Sequence, residues 1–339
     1  MNTVWFIILA LMLTAYAVLD GFDLGVGALL PWVCRTEAER LQARHTIGPV
    51  WNGNEVWLLA AGGAMFVAFP RLYAASFSGF YLALILVLWM LILRGIGFEF
   101  RHAHSHPLWT GLWDVVFSAS SLVLALLFGV AVSNVLRGVP LNAQGEFQGS
   151  FTLLLNPFAL VGGLLSVAVL CLHGAAFLVM KTEGDLQARA RSLVTPIWVA
   201  SVVLTVAFAI ASNWVRPGFT ANFTHAPIWL ILPLLVIVTL IAVPILTKRA
   251  QEAPLFWATS LLIISLLGSA AVGLFPSLLP SLHGDLNRGL TIYNAATAHN
   301  GLVAALIMNL VGMTAVVAYT AAIYRTWNGK VQREHIIHE

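Results

Sequence analysis

The chain has 339 residues, 60% of them hydrophobic and 9% charged, with a mean hydropathy of +0.89. That composition excludes an ordinary soluble domain and puts most of the chain in a bilayer. The formal net charge of +3 is scattered over short loops and implies no nucleic-acid partner, and two cysteines without a Cys-x-x-Cys spacing support neither a disulfide framework nor a thiolate metal or haem-attachment site.

From Val4 to Leu30 the only charges are Asp20 and Asp23, in the stretch Asp20-Gly-Phe-Asp-Leu-Gly-Val-Gly27. A run of that length crosses the hydrocarbon core. It has no basic leader and no small-residue cleavage site before Asp20, so it reads as a first span and not a removed signal. Each acid costs roughly 2.5–3.5 kcal/mol to insert, which makes it a functional candidate by default. Three residues apart, the two acids share a helix face that must look at protein or water. Gly21 and Gly25 form a small-xxx-small pair that lets another helix approach. The competing reading is a packing motif whose acids are merely paired.

Apolar runs bounded by Pro, Gly and charged clusters predict nine spans, near 4–30, 50–70, 76–98, 111–134, 158–180, 194–214, 227–247, 255–276 and 293–324. Of the 17 Lys and Arg, 13 fall in the segments after spans one, three, five, seven and nine. The positive-inside rule then puts the amino terminus outside and the carboxyl terminus in the cytoplasm. Arg35-Thr-Glu37, Leu41-Gln-Ala-Arg44 and Pro49-Val-Trp51 recur as Lys181-Thr-Glu183, Leu186-Gln-Ala-Arg189 and Pro196-Ile-Trp198. Copies four spans apart on one side of the membrane are a parallel repeat. The predicted fold is an all-α integral membrane protein of two pseudo-repeated four-helix bundles, 1–135 and 136–280, with a ninth helix and cytoplasmic tail in 281–339. In register, Asp20 aligns with Ser166, Asp23 with Val169 and Glu55 with Val202, so the acids belong to one half only. Bundle packing alone would want them in both.

Span two opens Pro49-Val-Trp-Asn52-Gly-Asn-Glu55-Val-Trp57, with proline at a helix start where its missing donor costs nothing. Glu55 comes out at the depth of Asp20 and Asp23; a buried carboxyl of this kind suits a proton relay, whereas a solvated glutamate favouring the helix dipole is the plain alternative. Span three ends Arg94-Gly-Ile-Gly-Phe-Glu99-Phe-Arg101. Arg94 either snorkels, the commoner course, or pairs with an acid of the first half. His102, His104 and His106 alternate beyond it, but nothing completes a metal site, and a solvated loop is expected. His173 and His299 raise bis-histidine haem ligation, but their depths differ, roughly 22 Å against 9 Å from the outer face, and an interhelical hydrogen bond is the better reading of such a histidine. The glycines of 21–27 are no nucleotide fingerprint, since no strand precedes them. Trp5, Trp109, Trp113, Trp214, Trp229 and Trp327 form an interfacial belt.

The stretches 20–27 and Gly48-Pro-Val-Trp-Asn-Gly-Asn-Glu-Val-Trp-Leu-Leu59, with Ala61-Gly-Gly-Ala-Met-Phe66, Phe77-Ser-Gly-Phe-Tyr81 and Arg94–Arg101, closely resemble subunit II of the cytochrome bd-type quinol oxidases. Leu155-Asn-Pro-Phe158, Gly273-Leu-Phe-Pro276 and Leu290-Thr-Ile-Tyr293 carry the resemblance through nearly the whole chain. It implies a respiratory terminal oxidase of the bacterial inner membrane that oxidises quinol at the outer face and reduces dioxygen to water with protons taken from the cytoplasm. Haem b, haem d and the quinol-oxidising loop would lie in subunit I, the partner of this chain, which would itself ligate no iron or other metal. A structural quinone and small single-helix accessory subunits are compatible with the family. Proton-pathway candidates are then Asp20, Asp23, Asn52, Glu55 and Glu99, Trp57 lies near a dioxygen route, and Arg94, Arg101, Gly21 and Gly25 are pairing or packing residues. One departure stands out: well-known members carry aspartate where this chain has Asn52, and asparagine does not titrate. The rival readings are a proton-coupled transporter with rocking halves and a purely structural assembly subunit that docks through its acids.

Overall fold

The computed structural model describes residues 1–282 and 289–331. It opens with α1 (Asn2–Val33), α2 (Glu37–Ile47), α3 (Trp51–Ala68), α4 (Pro70–Gly79), α5 (Tyr81–Glu99) and α6 (Pro107–Arg137). A single turn, α7 (Phe151–Leu154), precedes α8 (Pro157–Lys181) and α9 (Gly184–Val215). Then follow the short α10 (Ala221–His225), α11 (Ile231–Lys248), α12 (Glu252–Leu274) and α13 (His299–Thr326). Between the last two, an antiparallel ribbon of β1 (Ser277–Leu279) and β2 (Leu290–Thr291) sets Ser277 opposite Thr291 and Leu279 opposite Leu290.

Eight described helices are long and apolar enough to cross a membrane. The missing member of the nine predicted spans is α3, the helix over the expected 50–70. Its first two turns carry Asn52, Asn54 and Glu55, which make it too polar to stand with the others, although α1 packs along it. Other boundaries shift for local reasons. Residues 76–79 finish α4, started by Pro70 at a helix N-terminus, and the chain bends at Phe80 before α5. The last span starts at His299, because 290–295 are held by the ribbon and its turn. The two Pro-x-Trp copies also part company. Gly48-Pro49-Val50 makes a turn between α2 and α3, whereas Pro196 is absorbed inside one continuous α9.

α1 and α8 run through the centre. α1 packs against α3, α6, α8 and α12, and α8 against α6, α9 and α12, while α5 lies on α6, α11 on α12, and α13 on α3. Apolar attraction between helices is weak in lipid, so close backbone approach and polar pairing have to hold them. At the α1–α8 crossing Gly25 meets Gly174; a Cβ on Gly25 would collide with the Leu170 carbonyl, and one on Gly174 with the Gly25 backbone. Gly21 faces Leu170 on the same side. Across the core, Ser118 donates to the Gly27 carbonyl at 2.6 Å, and His173, fully buried, bonds Thr259 at 2.8 Å and the Val18 carbonyl at 3.0 Å. The outward faces are apolar, with Leu59, Trp89, Val203, Leu234 and Met308 exposed.

Candidate functional site

Helix α1 delivers Asp20 to the interior with no exposure at all, and α5 delivers Arg94 at 2%. Arg94 does not snorkel. Its Nη1 donates to Asp20 Oδ2 at 2.8 Å and its Nη2 to Asp20 Oδ1 at 2.6 Å, a fork-to-fork pair. The same Nη2 reaches Glu55 Oε1 on α3 at 3.0 Å. One guanidinium therefore ties three helices. Glu55 differs from Asp20 in keeping a quarter of its side chain exposed.

Asp23, one turn along α1, is buried but takes no bond from Arg94; Asn54 Nδ2 donates to its Oδ2 at 2.7 Å. Its Oδ1 has no hydrogen-bond partner among the described residues. Asp23 and Arg94 line a narrow gap together with Ile47 of α2, Trp51, Phe98 and Phe117. The cluster thus holds three carboxyls against one guanidinium. A surplus of acid inside the bilayer is costly to bury and marks the cluster as the candidate site.

A second ionic cluster closes the α2 end of the helices, around Asp114 of α6. Arg101 donates to Asp114 through Nε at 2.7 Å and to Glu37 at 2.7 Å, and Arg44 donates to Asp114 at 2.9 Å and to the Gly97 carbonyl at 3.1 Å. Arg40 stands 3.6 Å from Asp114. The Arg44 guanidinium lies over the Phe117 ring at 4.5 Å and that of Phe98 at 5.6 Å. Burial pulls the Arg44 pKa down to about 10 against the opposing pull of Asp114, so Arg44 stays charged at neutral pH. Nearby, Thr36 and Glu39 form a capping box at the start of α2, and Glu39 also pairs with Arg189 of α9. Burial pushes the Glu39 carboxyl up, but the Arg35 and Thr36 amides and Arg189 outweigh it and hold it below the ordinary glutamate value.

Other sequence candidates lie apart from these clusters. Asn52 is on the exposed face of α3, and Glu99 is exposed where α5 ends. Trp57 is half-buried, and its indole N–H finds no partner among the described residues. His104 and His106 are exposed in the connection to α6; His106 caps that helix by accepting from the Leu108 amide, and His104 touches the edge of Trp109. Among the described residues no three His, Cys, Asp or Glu gather to hold a metal. His173 and His299 do not fit as a pair of haem ligands, because both ring nitrogens of His173 are engaged and His299 is exposed at the start of α13. Sequence reasoning passed over Asn54, Asp114, Arg44 and Tyr324. Asp114 had a signal, being the one acid of its span; Asn54, two residues from Asn52, had none beyond its neighbours.

Comparison with known proteins decides the family. The model for cytochrome bd terminal oxidase subunit II matches residues 1–327. This chain belongs to that family. Its complex is a quinol:dioxygen oxidoreductase of the respiratory chain, and the transporter reading falls away. The bd oxidase subunit is 35% identical to cytochrome bd-I ubiquinol oxidase subunit 2 of Escherichia coli K12, over 98% of this chain and 96% of that one. It is 36% identical to a probable cytochrome oxidase subunit 2 of Haemophilus influenzae, with the same shares covered, and 31% identical to cytochrome bd ubiquinol oxidase subunit 2 of Bacillus subtilis, over 100% and 98%. In fold it matches a chain of the bd oxidase of Geobacillus thermodenitrificans with a TM-score of 0.79 at 16% identity, over 96% of this chain and 98% of that one. The bd subunit is accordingly a multi-pass protein of the inner membrane.

Proposed function

We propose that this subunit conducts protons from the α2 end of the bilayer toward a haem-bearing subunit I, with Glu55 and Asp23 as the groups that bind and release them. The observation that carries the reading is the cluster itself, three carboxyls around one buried guanidinium. Within it the labour divides. Asp20, sealed and gripped by both arms of Arg94, is a strut between α1 and α5, a structural duty that its geometry favours. Glu55 has a single bond to Arg94 and a partly open side chain, and Asp23 has one oxygen without a partner; both are free to exchange a proton.

The distribution of Lys and Arg supports a cytoplasmic α2 end, with the carboxyl terminus on that side and the amino terminus in the periplasm. Proton uptake from the cytoplasm then runs inward from α2. Haem b and haem d belong to subunit I in this reading, and the site holds no step for them here. Asn52 and Trp57, on or near the outer side of α3, belong with the approach of subunit I and of dioxygen, and Glu99 with the water-facing entrance. The contacts also support two units, 1–135 and 136–280, around the central α1–α8 pair, since exchanging α1, α3, α5 and α6 for α8, α9, α11 and α12 maps the main contacts onto one another. The apolar outer faces leave room for accessory single-helix subunits and lipid, and the fold is compatible with a structural quinone.

The test is the complex pulled down through this chain, assayed for haem content and for quinol-driven oxygen uptake across pH. Glu55→Gln and Asp23→Asn are expected to keep the haems and lose turnover by about a hundredfold or more, the range that removing a proton-transfer group gives. Unchanged uptake at every pH in Glu55→Gln would remove Glu55 from the route.

A further inference from the structure

The end of α13 is fastened to the rest of the molecule by the segment that follows it. Lys181 Nζ donates to the carbonyls of Trp327 at 2.8 Å and Gly329 at 3.1 Å, and the Val331 amide donates back to the Lys181 carbonyl at 2.8 Å. Gln42 of α2 donates to the Val331 carbonyl at 2.8 Å, and Lys330 pairs with Glu252 of α12 at 2.8 Å. One turn before Trp327 stands Tyr324, whose hydroxyl donates to Asn54 Oδ1 at 3.1 Å. The Asn54 amide nitrogen spends its two protons on Asp23 Oδ2 at 2.7 Å and on the Leu19 carbonyl at 2.9 Å.

These bonds admit one orientation of Asn54. With its amide reversed, the side-chain oxygen would face a carboxylate oxygen and a carbonyl oxygen, and its NH2 would face a hydroxyl that can still turn to accept; two acceptor–acceptor contacts in a buried site are costly. Asp23 and the Leu19 carbonyl thus set the orientation, and Tyr324 adds the third bond that holds Asn54 in place. The consequence falls on Asp23: Oδ2 is held, while Oδ1 is buried and has no hydrogen-bond partner among the described residues, and Asp23 lines a gap shared with Ile47, Trp51, Arg94, Phe98 and Phe117.

We propose that Tyr324 is a positioning residue which, through Asn54, fixes the Asp23 carboxyl so that a proton binds and leaves at Oδ1 alone, from the gap beneath α2. This rests on the reading of Asp23 as a proton-exchanging group and adds the device that gives the exchange its direction. Among the described residues, the charged and titratable groups around Asp23 are Asp20 on its own helix with Tyr16 beside it, Glu55 on α3, Arg94 on α5 and Tyr324 on α13. His173 of α8 is turned to Thr259 and Val18, Asp114 of α6 is engaged by Arg44 and Arg101, and α12 brings up Thr259 in place of a charge.

Tyr324→Phe keeps the ring and removes only the donor. In the purified complex it is expected to leave haem content and thermal midpoint unchanged, to lower quinol-driven oxygen uptake by about tenfold, and to displace the pH profile. Infrared difference spectra supply a readout that packing alone does not move: the carboxyl band lost in Asp23→Asn is expected to shift in frequency in Tyr324→Phe. On an Asp23→Asn background, Tyr324→Phe should lower uptake no further. A wild-type profile and band in Tyr324→Phe overturns the proposal, as does an equal drop on the Asp23→Asn background or a loss of haem from the single variant. If Asp23→Asn itself keeps full uptake, the failure lies with the proton reading of Asp23; if Asp23→Asn is impaired and Tyr324→Phe is not, only the positioning by Tyr324 fails.

Discussion

The clusters around Arg94 and around Asp114 use the same residue types to opposite ends. In the first, one guanidinium meets Asp20 and Glu55 with Asp23 beside it, deep among the helices. In the second, Arg40, Arg44 and Arg101 converge on Asp114, with Glu37 half open to water. A carboxylate ringed by arginines has all its bonds taken up, and such a site anchors chain segments. A guanidinium outnumbered by carboxyls leaves acids with bonds to spare, and in the proposed reading these trade protons. The number of cations per acid, more than burial, separates the anchor from the proposed relay.

The comparison breaks most readily at Arg94. Arg94→Leu leaves Asp20 buried without its cation, which costs about 3–5 kcal/mol, and the expected outcome is loss of assembled, haem-containing complex from membranes. A normal yield and thermal midpoint would show that Asp20 does not need its partner. Asp114→Asn sharpens the contrast from the other side. It unties α2 from α6 for about 2–3 kcal/mol, less than the full cost because Glu37 and water remain to the arginines. Thermal midpoint should fall while turnover per haem holds, whereas Glu55→Gln should do the reverse; a matching loss of turnover in Asp114→Asn would merge the two sites into one route.

Two smaller effects test the frame that holds the clusters apart. Gly174→Ala places a methyl against the Gly25 backbone, where no flexible side chain can give way, and overpacking of this kind costs about 1–3 kcal/mol. Thermal unfolding in detergent should show it, with Gly312→Ala, which meets open space, as the unaffected control. Thr36→Ala removes the cap of α2, for about 1 kcal/mol. Glu39 adds a pH signature here. Its folded pKa lies below the ordinary 4.5, so its stabilisation is present above 4.5 and is lost as pH falls through the folded value. Unfolding midpoints followed downward through that window should fall less steeply in Arg189→Ala than in the parent; equal slopes would mean that the Glu39–Arg189 pair contributes nothing.

Much of the fold is written along the chain because bilayer insertion is decided segment by segment. The apolar runs, the acids within the first of them and the Gly21/Gly25 pair are visible to anyone reading hydropathy and spacing. Span two was visible for its sequence pattern even though its polar first turns set it apart from the eight apolar helices. The partners were not visible. Arg94 stands 74 residues from Asp20 and 39 from Glu55, and only the packing of α1, α3 and α5 makes the common snorkelling course lose to a buried ion pair.

Sequence alone therefore determined the membrane class, the spans and the presence of acids too costly to be idle. Tertiary structure decided which acids are paired and which are open. Asn52 and Asn54 have the same chemistry two residues apart, yet one faces outward and the other joins Asp23 to Tyr324, 270 residues away from Asn54. Helical phase and a distant helix end set that difference. Hydropathy measures the cost of putting a side chain in the membrane, and that cost depends on residue type; what offsets it is a partner at hydrogen-bond distance, and distance exists only once the helices have packed.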